Sequence, residues 1–294
     1  MSLTRLSMAS FVGWMLCLLL WNAVTAKEHP TEMAKRKLEF RGEKHLTVKM
    51  DIGAGTIDLE RGRTGDLLDA EVEYDPEDTR VNVDYDRIGD EGRVYLKSEA
   101  KRKGIHLDNE DNYWRLGFGD SITISFEIDV GACDADFDFT GLKVDQLDMD
   151  LGASSVDVEF RKPNRERISE MKIDAGATKL KVSGLGNANF GNLAFDGGVG
   201  DFTLDFSGDF AHRAHADVEV GMGSLTILVP EDLGVRIRGE SSFLSSISVD
   251  EHDFDEVEDD VYENHNFGRA DGELTLDVEV GLGSVKVEYI DPLP

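Results

Sequence analysis

In seven copies of one repeated phrase an acid stands two residues ahead of a glycine: Asp51, Asp129, Asp150, Asp174, Asp196, Glu219 and Glu279. Carboxylates repeated at a fixed place offer oxygen ligands for a hard cation, and Ca²⁺ is the ion such rows suit. Asp129, Asp150, Asp174 and Asp196 are the candidate ligands, because their copies follow one another most closely. The nine-residue Ca²⁺-binding β-roll signature and the EF-hand loop are both missing, so a solvated acidic face is the preferred reading over a dedicated ion site. His212 and His215 lie three apart, and His252 and His265 fall in an acidic stretch. A Zn²⁺ site needs three or four converging ligands, and a strand or turn would splay these apart. Acid–base hydrolysis of a glycan needs a carboxylate pair at a set separation, yet the acids are spread evenly. Trp114 is the one indole beyond the leader that could serve as a sugar platform, and no Ser/His/Asp motif or HExxH helix is found. Catalytic residues are therefore not assigned, and the expectation is a protein that is not an enzyme.

The elements that carry the acids follow from the pattern around them. In "LDMDLGASSVDVEF", Leu147, Met149, Leu151 and Ala153 alternate, and after Ser154-Ser155 the apolar set changes parity to Val156, Val158 and Phe160. The copies "VEVGMGSLTILV" and "VEVGLGSVKVEY" repeat the change, from Val218, Val220, Met222 to Leu225, Ile227, Val229 and from Val278, Val280, Leu282 to Val285, Val287, Tyr289. Strict alternation marks half-buried strands, and a phase slip at a fixed place marks a corner after which side chains again face inward. Gly53, Gly131, Gly152, Gly176, Gly198, Gly221 and Gly281 are read as corner residues, supplying backbone angles that a Cβ would forbid. "GAG" at 53–55 is not a phosphate loop, because the strand resumes at once and no helix follows. The central acids are 21, 24, 22 and 23 residues apart. That period predicts an all-β fold, a parallel β-solenoid of roughly 21–24-residue rungs with glycine corners. Stacked in register, the outward acids would repel by about 0.9 kcal/mol per pair in water at a spacing of about 4.8 Å.

Composition narrows the function. A formal net charge of −29 repels nucleic acid and anionic headgroups, which excludes a nucleic-acid partner and favours cations or basic partners. The N-terminus has Arg5, an apolar core from Phe11 to Trp21, and Val24-Thr25-Ala26 as a cleavage site. Residues 1–26 are read as a signal peptide, 27–38 as a short linker, 39–125 as an N-terminal β region and 126–294 as the repetitive solenoid with an acidic insertion near 250–266. No later apolar run is long enough to span a membrane. Export to the periplasm, the cell surface or the medium is expected. Cys133 then remains as a single cysteine at a glycine-like position, a packing residue in a protein held together without a disulfide. Asn187, Asn189 and Asn192 suit turn backbones better than a glycan site.

Residues 113–160, with Trp114, Gly131, Gly141-Leu142, Leu147 and Gly152, resemble the bacterial toast-rack family, whose domains are related to the C-terminal part of LiaF-type cell-wall stress regulators and to adhesin-like head domains. The closing "VEVGLGSVKVEY" is similar to the end of such domains, and the likeness spans roughly 39–290. The resemblance implies an exported, non-enzymatic β-solenoid acting as a scaffold or adhesin-like interaction module of the cell envelope, with an envelope protein or surface glycan as partner. A LiaF-type stress sensor is the alternative, although LiaF-like regulators carry several membrane helices ahead of the domain. A polysaccharide-active β-helix enzyme is the third reading.

Overall fold

A computed structural model describes residues 31–101, 112–241, 245–248 and 252–290; the signal-like segment 1–26 lies outside them. The N-terminal part holds β1 (Glu32–Glu39), β2 (His45–Arg61), β3 (Asp66–Tyr74), β4 (Thr79–Ile88), β5 (Glu91–Ala100) and β6 (Asn112–Phe118). The span read as a linker is therefore a strand from Glu32 onward, with Leu38 buried and the other β1 positions mostly exposed. Then come β7 (Thr123–Asp138), β8 (Lys143–Leu151), β9 (Ser155–Glu159), β10 (Ile168–Ser183), the single helical turn α1 (Leu185–Ala188), β11 (Phe190–Asp205) and β12 (Arg213–Pro230). The chain ends in β13 (Gly234–Ser241), β14 (Ser245–Ser248), β15 (Phe254–Glu258), β16 (Val261–Asn264) and β17 (Glu273–Ile290).

The long strands each serve two walls. The first half of β2 pairs with β5 and its second half with β6. Likewise β7 and β10 pair with β8 through their first halves and with β9 through their second. From β2 through β7, β8/β9, β10, β11 and β12 to β17 all pairings are parallel, as the repeat predicts. Inward residues of both halves meet in one core, and the parity change is real. Ile52 and Ile57, five apart, are both buried, as are Val220 and Leu225. The place of the change differs from the sequence reading. Ala153, Met222 and Leu282, assigned to the inner face, point outward, and Met222 is 46% exposed. The inner run stops at Leu151, Val220 and Val280, and the following glycine already belongs to the turn-over between walls.

The seven repeat glycines have none of the left-handed φ angles that a corner role would require. Close approach is the reason for six of them, all but Gly53. A Cβ on Gly131 would lie 2.4 Å from the Gly53 carbonyl oxygen, on Gly152 2.5 Å from that of Gly131, and on Gly198 2.6 Å from that of Gly176. Each rung therefore rests its backbone on the glycine beneath it, and a methyl group has no space. The special angles fall two residues later, where Gly223 has φ +138° and a Cβ would stand 1.8 Å from the Gly200 oxygen.

The rungs do not stack in chain order. β17 is inserted between β12 and β13, so the last copy in sequence is not the last in space. β13 and β14 supply the outer rung instead, both lying parallel to β17. The acidic insertion contributes the β15–β16 hairpin, and β16 runs antiparallel along β13. At the other end β4 lies antiparallel on β5, and β3 lies antiparallel on β6. Each end thus leaves the solenoid, folds a hairpin over the open edge, and returns, which covers backbone that would otherwise recruit another strand.

Candidate functional site

The register assembles the acids into one outward row. Asp51 pairs with Asp129, Asp129 with Asp150, Asp150 with Asp174, Asp174 with Asp196, Asp196 with Glu219 and Glu219 with Glu279. Alternation dictates this, since each acid precedes an inward residue. Cations relieve the row at two places. Lys97 Nζ lies 2.8 Å from Asp51 at one end, and Lys172 pairs with Asp174 inside it. The hydrogen bond it donates to Asp51, then that to Glu99, holds the Lys97 ammonium above the ordinary lysine range. Between them Asp129 has acids on both sides. Burial, then Asp150 and Asp51, push its carboxyl above the ordinary aspartate range. A second row, Asp58, Asp136 and Asp157, runs along the other wall. Burial, followed by Asp157, Asp58 and Glu159, raises Asp136 in the same direction.

Raised carboxyl pKa values have a defined consequence. The folded protein holds these protons more tightly than the unfolded chain, so the contribution is fully present below the unfolded aspartate pKa, near 4. It is lost as pH rises through the folded value. At neutral pH both acids oppose folding. Asp129→Asn is expected to stabilise the protein by about 0.2–1 kcal/mol at pH 7 and by much less at pH 4. Thermal melts of the two proteins at both pH values check this, and a larger gain at pH 4 than at pH 7 would reverse the sign.

The candidate cation ligands Asp129, Asp150, Asp174 and Asp196 form a line and do not converge. Among the described residues, the only three side chains whose ligand atoms all lie within 4.8 Å of one another are His215, Asp217 and Asp277. His212 is used otherwise, its ring stacked on Phe210 with Nε2 2.8 Å from the Phe190 carbonyl oxygen. His265 lies 3.6 Å from Asp255 across the end hairpin. Trp114 is fully buried and donates its indole N–H to Asn112, so it offers no platform to a sugar. Cys133 is buried opposite Gly55, and burial, then Asp134, pushes its thiol up to about 12, which keeps it unreactive. Asn187 is buried and spans two loops, donating to the Phe160 carbonyl and accepting from the Asp209 amide. Asn189 sits at φ 58° and donates to Glu166, whereas Asn192 is exposed on β11.

Two features were not visible in the sequence. A bulge in β8 leaves Asp145 opposite no partner, between Val144 and Gln146, which pair with Ile124 and Ser125. Its carboxylate accepts the Ser125 hydroxyl at 2.8 Å and meets His45 Nε2 at 3.1 Å, with Ser125 Oγ 3.0 Å from the same nitrogen. Glu91 lies 3.3 Å from the other ring nitrogen. This brings serine, histidine and acid together from four strands, but not in a nucleophilic arrangement. Ser125 is shared between Asp145 and His45, and the strands that carry it and Asp145 pair in the parallel ladder. The second feature is a row of outward apolar residues beside the acids. Val199, Met222 and Leu282 are in register and 53%, 46% and 40% exposed.

Residues 26–183 match the family model described as the N-terminal domain of toast_rack, and residues 185–287 match the model for the C-terminal domain of LiaF, the cell wall-active antibiotics response protein. The two matches meet at Gly184, inside the solenoid. No curated protein matches the chain. Among solved structures, a "putative cell adhesion protein" from Clostridium sporogenes is similar at 14% identity and TM-score 0.47, covering 89% of this chain and 100% of its own. A "putative adhesin" from Bacteroides fragilis is similar at 12% identity and TM-score 0.40, covering 87% of this chain and 97% of its own.

Proposed function

The chain belongs to the toast-rack family, whose N-terminal domain its residues 26–183 match, and from that premise we propose that it is an exported, non-enzymatic scaffold and interaction module of the bacterial cell envelope. The observation that carries this reading is the placement of its outward side chains. Acids and apolar residues run in lengthwise rows over several rungs, while the inward side chains fill a continuous core. Chemistry spread along a surface suits contact with an extended partner, such as an envelope protein or a surface glycan. A reaction would instead gather its groups at one point. Exposed apolar residues in register beside charge are the kind of surface that interaction modules present. The signal-like residues 1–26 support the exported part of the proposal.

Fractionation tests localisation. The chain is expected in the periplasmic, surface or medium fraction with its mass reduced by cleavage after Ala26, and a full-length cytoplasmic product would overturn export. A reducing-sugar screen over envelope polysaccharides is expected to give no product. The LiaF C-terminal match over 185–287 favours a second reading, a part in envelope-stress signalling. Deletion would then change transcription of stress genes under a cell-wall antibiotic, and an unchanged response would remove that reading.

A further inference from the structure

We propose that His215, Asp217 and Asp277 form a binding site for a first-row transition dication of the Zn²⁺, Co²⁺ or Mn²⁺ class on the outer face of the first wall. His215 and Asp217 are two apart on β12 and so point the same way. Asp277 comes from β17, directly opposite Asp217. His215 Nε2 lies 3.0 Å from Asp217 Oδ1 and 3.6 Å from Asp277 Oδ2, and one ligand atom from each residue fits within 4.8 Å of the others. An ion at their centre would need only a small closing of the side chains to reach bonding distance. The sequence reading sought the ligands among neighbouring histidines, whereas here the third ligand arrives from a strand that register alone brings alongside.

The donor set selects the ion class. An imidazole nitrogen with two carboxylates suits Zn²⁺, Co²⁺ and Mn²⁺, while Ca²⁺ takes oxygen ligands in larger number. Three protein ligands facing solvent leave coordination positions open for water. Arg238 Nη1 lies 3.3 Å from Asp277 Oδ1, which leaves Oδ2 toward the histidine and orients the carboxylate as an outer partner of a metal ligand does. Glu219 and Glu279 follow on the same face, and Arg213 and Arg238 stand on the other side of His215. The ion would tie β12 to β17, the strand that enters the stack out of chain order.

Zn²⁺ titration of the purified chain by calorimetry, with Co²⁺ absorption as a second readout, tests the site. One strong equivalent is expected, with affinity falling at least about tenfold in His215→Ala and in Asp277→Asn and unchanged in Asp174→Asn. Ca²⁺ at equal concentration is expected not to displace the Co²⁺ spectrum. Zn²⁺ should also raise the melting temperature of the parent chain and not that of Asp277→Asn, since only the intact trio links the two strands. Absence of binding at 100-fold molar excess of Zn²⁺, affinity that survives Asp277→Asn, or equal displacement by Ca²⁺ would each overturn the proposal. None of these outcomes depends on the scaffold function.

Discussion

Gly223→Ala is expected to destabilise the protein by about 3–5 kcal/mol, while Gly53→Ala changes stability by less than about 1 kcal/mol. Both glycines belong to the same repeated phrase, so residue type does not separate them. Their neighbours do. A Cβ on Gly223 would stand 1.8 Å from the Gly200 carbonyl oxygen and 2.9 Å from its carbon, and the backbone there has φ +138°. Neither partner can yield, because Gly283 rests on Gly223 in the same way, its own Cβ position 1.8 Å from the Gly223 oxygen. Relief would have to separate β11, β12 and β17 along the row. Gly53 begins the column, and its nearest neighbour is the Ser98 carbonyl oxygen at 3.8 Å, an ordinary contact. Alanine there also reduces the freedom of the unfolded chain, which offsets part of any loss. Urea midpoints of the two variants decide the matter. A Gly223→Ala protein within 1 kcal/mol of the parent would mean that the rungs are not in backbone contact at that row.

The contrast marks how far the sequence could be read. Period, strand type and the parity change between Ile52 and Ile57 were legible because each is local and repeated, so seven copies report the same geometry. Outward placement of the anchoring acids followed from the same alternation. What was not legible depends on which strand lies beside which. The insertion of β17 between β12 and β13 leaves no local trace, since either order satisfies the alternation equally well. His215 and Asp277 meet through that insertion, and Asp145 reaches His45 through a bulge that adds one residue to β8. The outward turn of Met222 was missed for a different reason. Alternation extended through the glycine predicts it inward, but the strand changes walls one residue earlier, and an apolar side chain on the ridge is tolerated.

Phe139→Ala is expected to cost about 3–5 kcal/mol, with the loss confined to the rungs that share its ring. Phe139 is 1% exposed in the turn after β7, and it is the centre of an aromatic file. Its ring lies 5.1 Å from that of Phe126 and 5.3 Å from that of Phe160, and Phe126 continues to Phe118 at 5.3 Å. Truncation leaves a cavity that the flanking rings cannot fill, because each is fixed by its own rung. Every rung touches only its neighbours, so the effect should couple along this file and not beyond it. In a double-mutant cycle Phe139→Ala with Phe160→Ala is expected to show a coupling of about 0.5–1.5 kcal/mol. Phe139→Ala with Phe206→Ala should be additive within about 0.5 kcal/mol, since Phe206 packs instead against Phe190 at a tilted angle. Equal coupling in both cycles would show that the core responds as one body, and the rung-by-rung account of stability would then be wrong. Since the buried Cys133 offers no disulfide to compensate, the packing along this file bears directly on whether the chain stays folded.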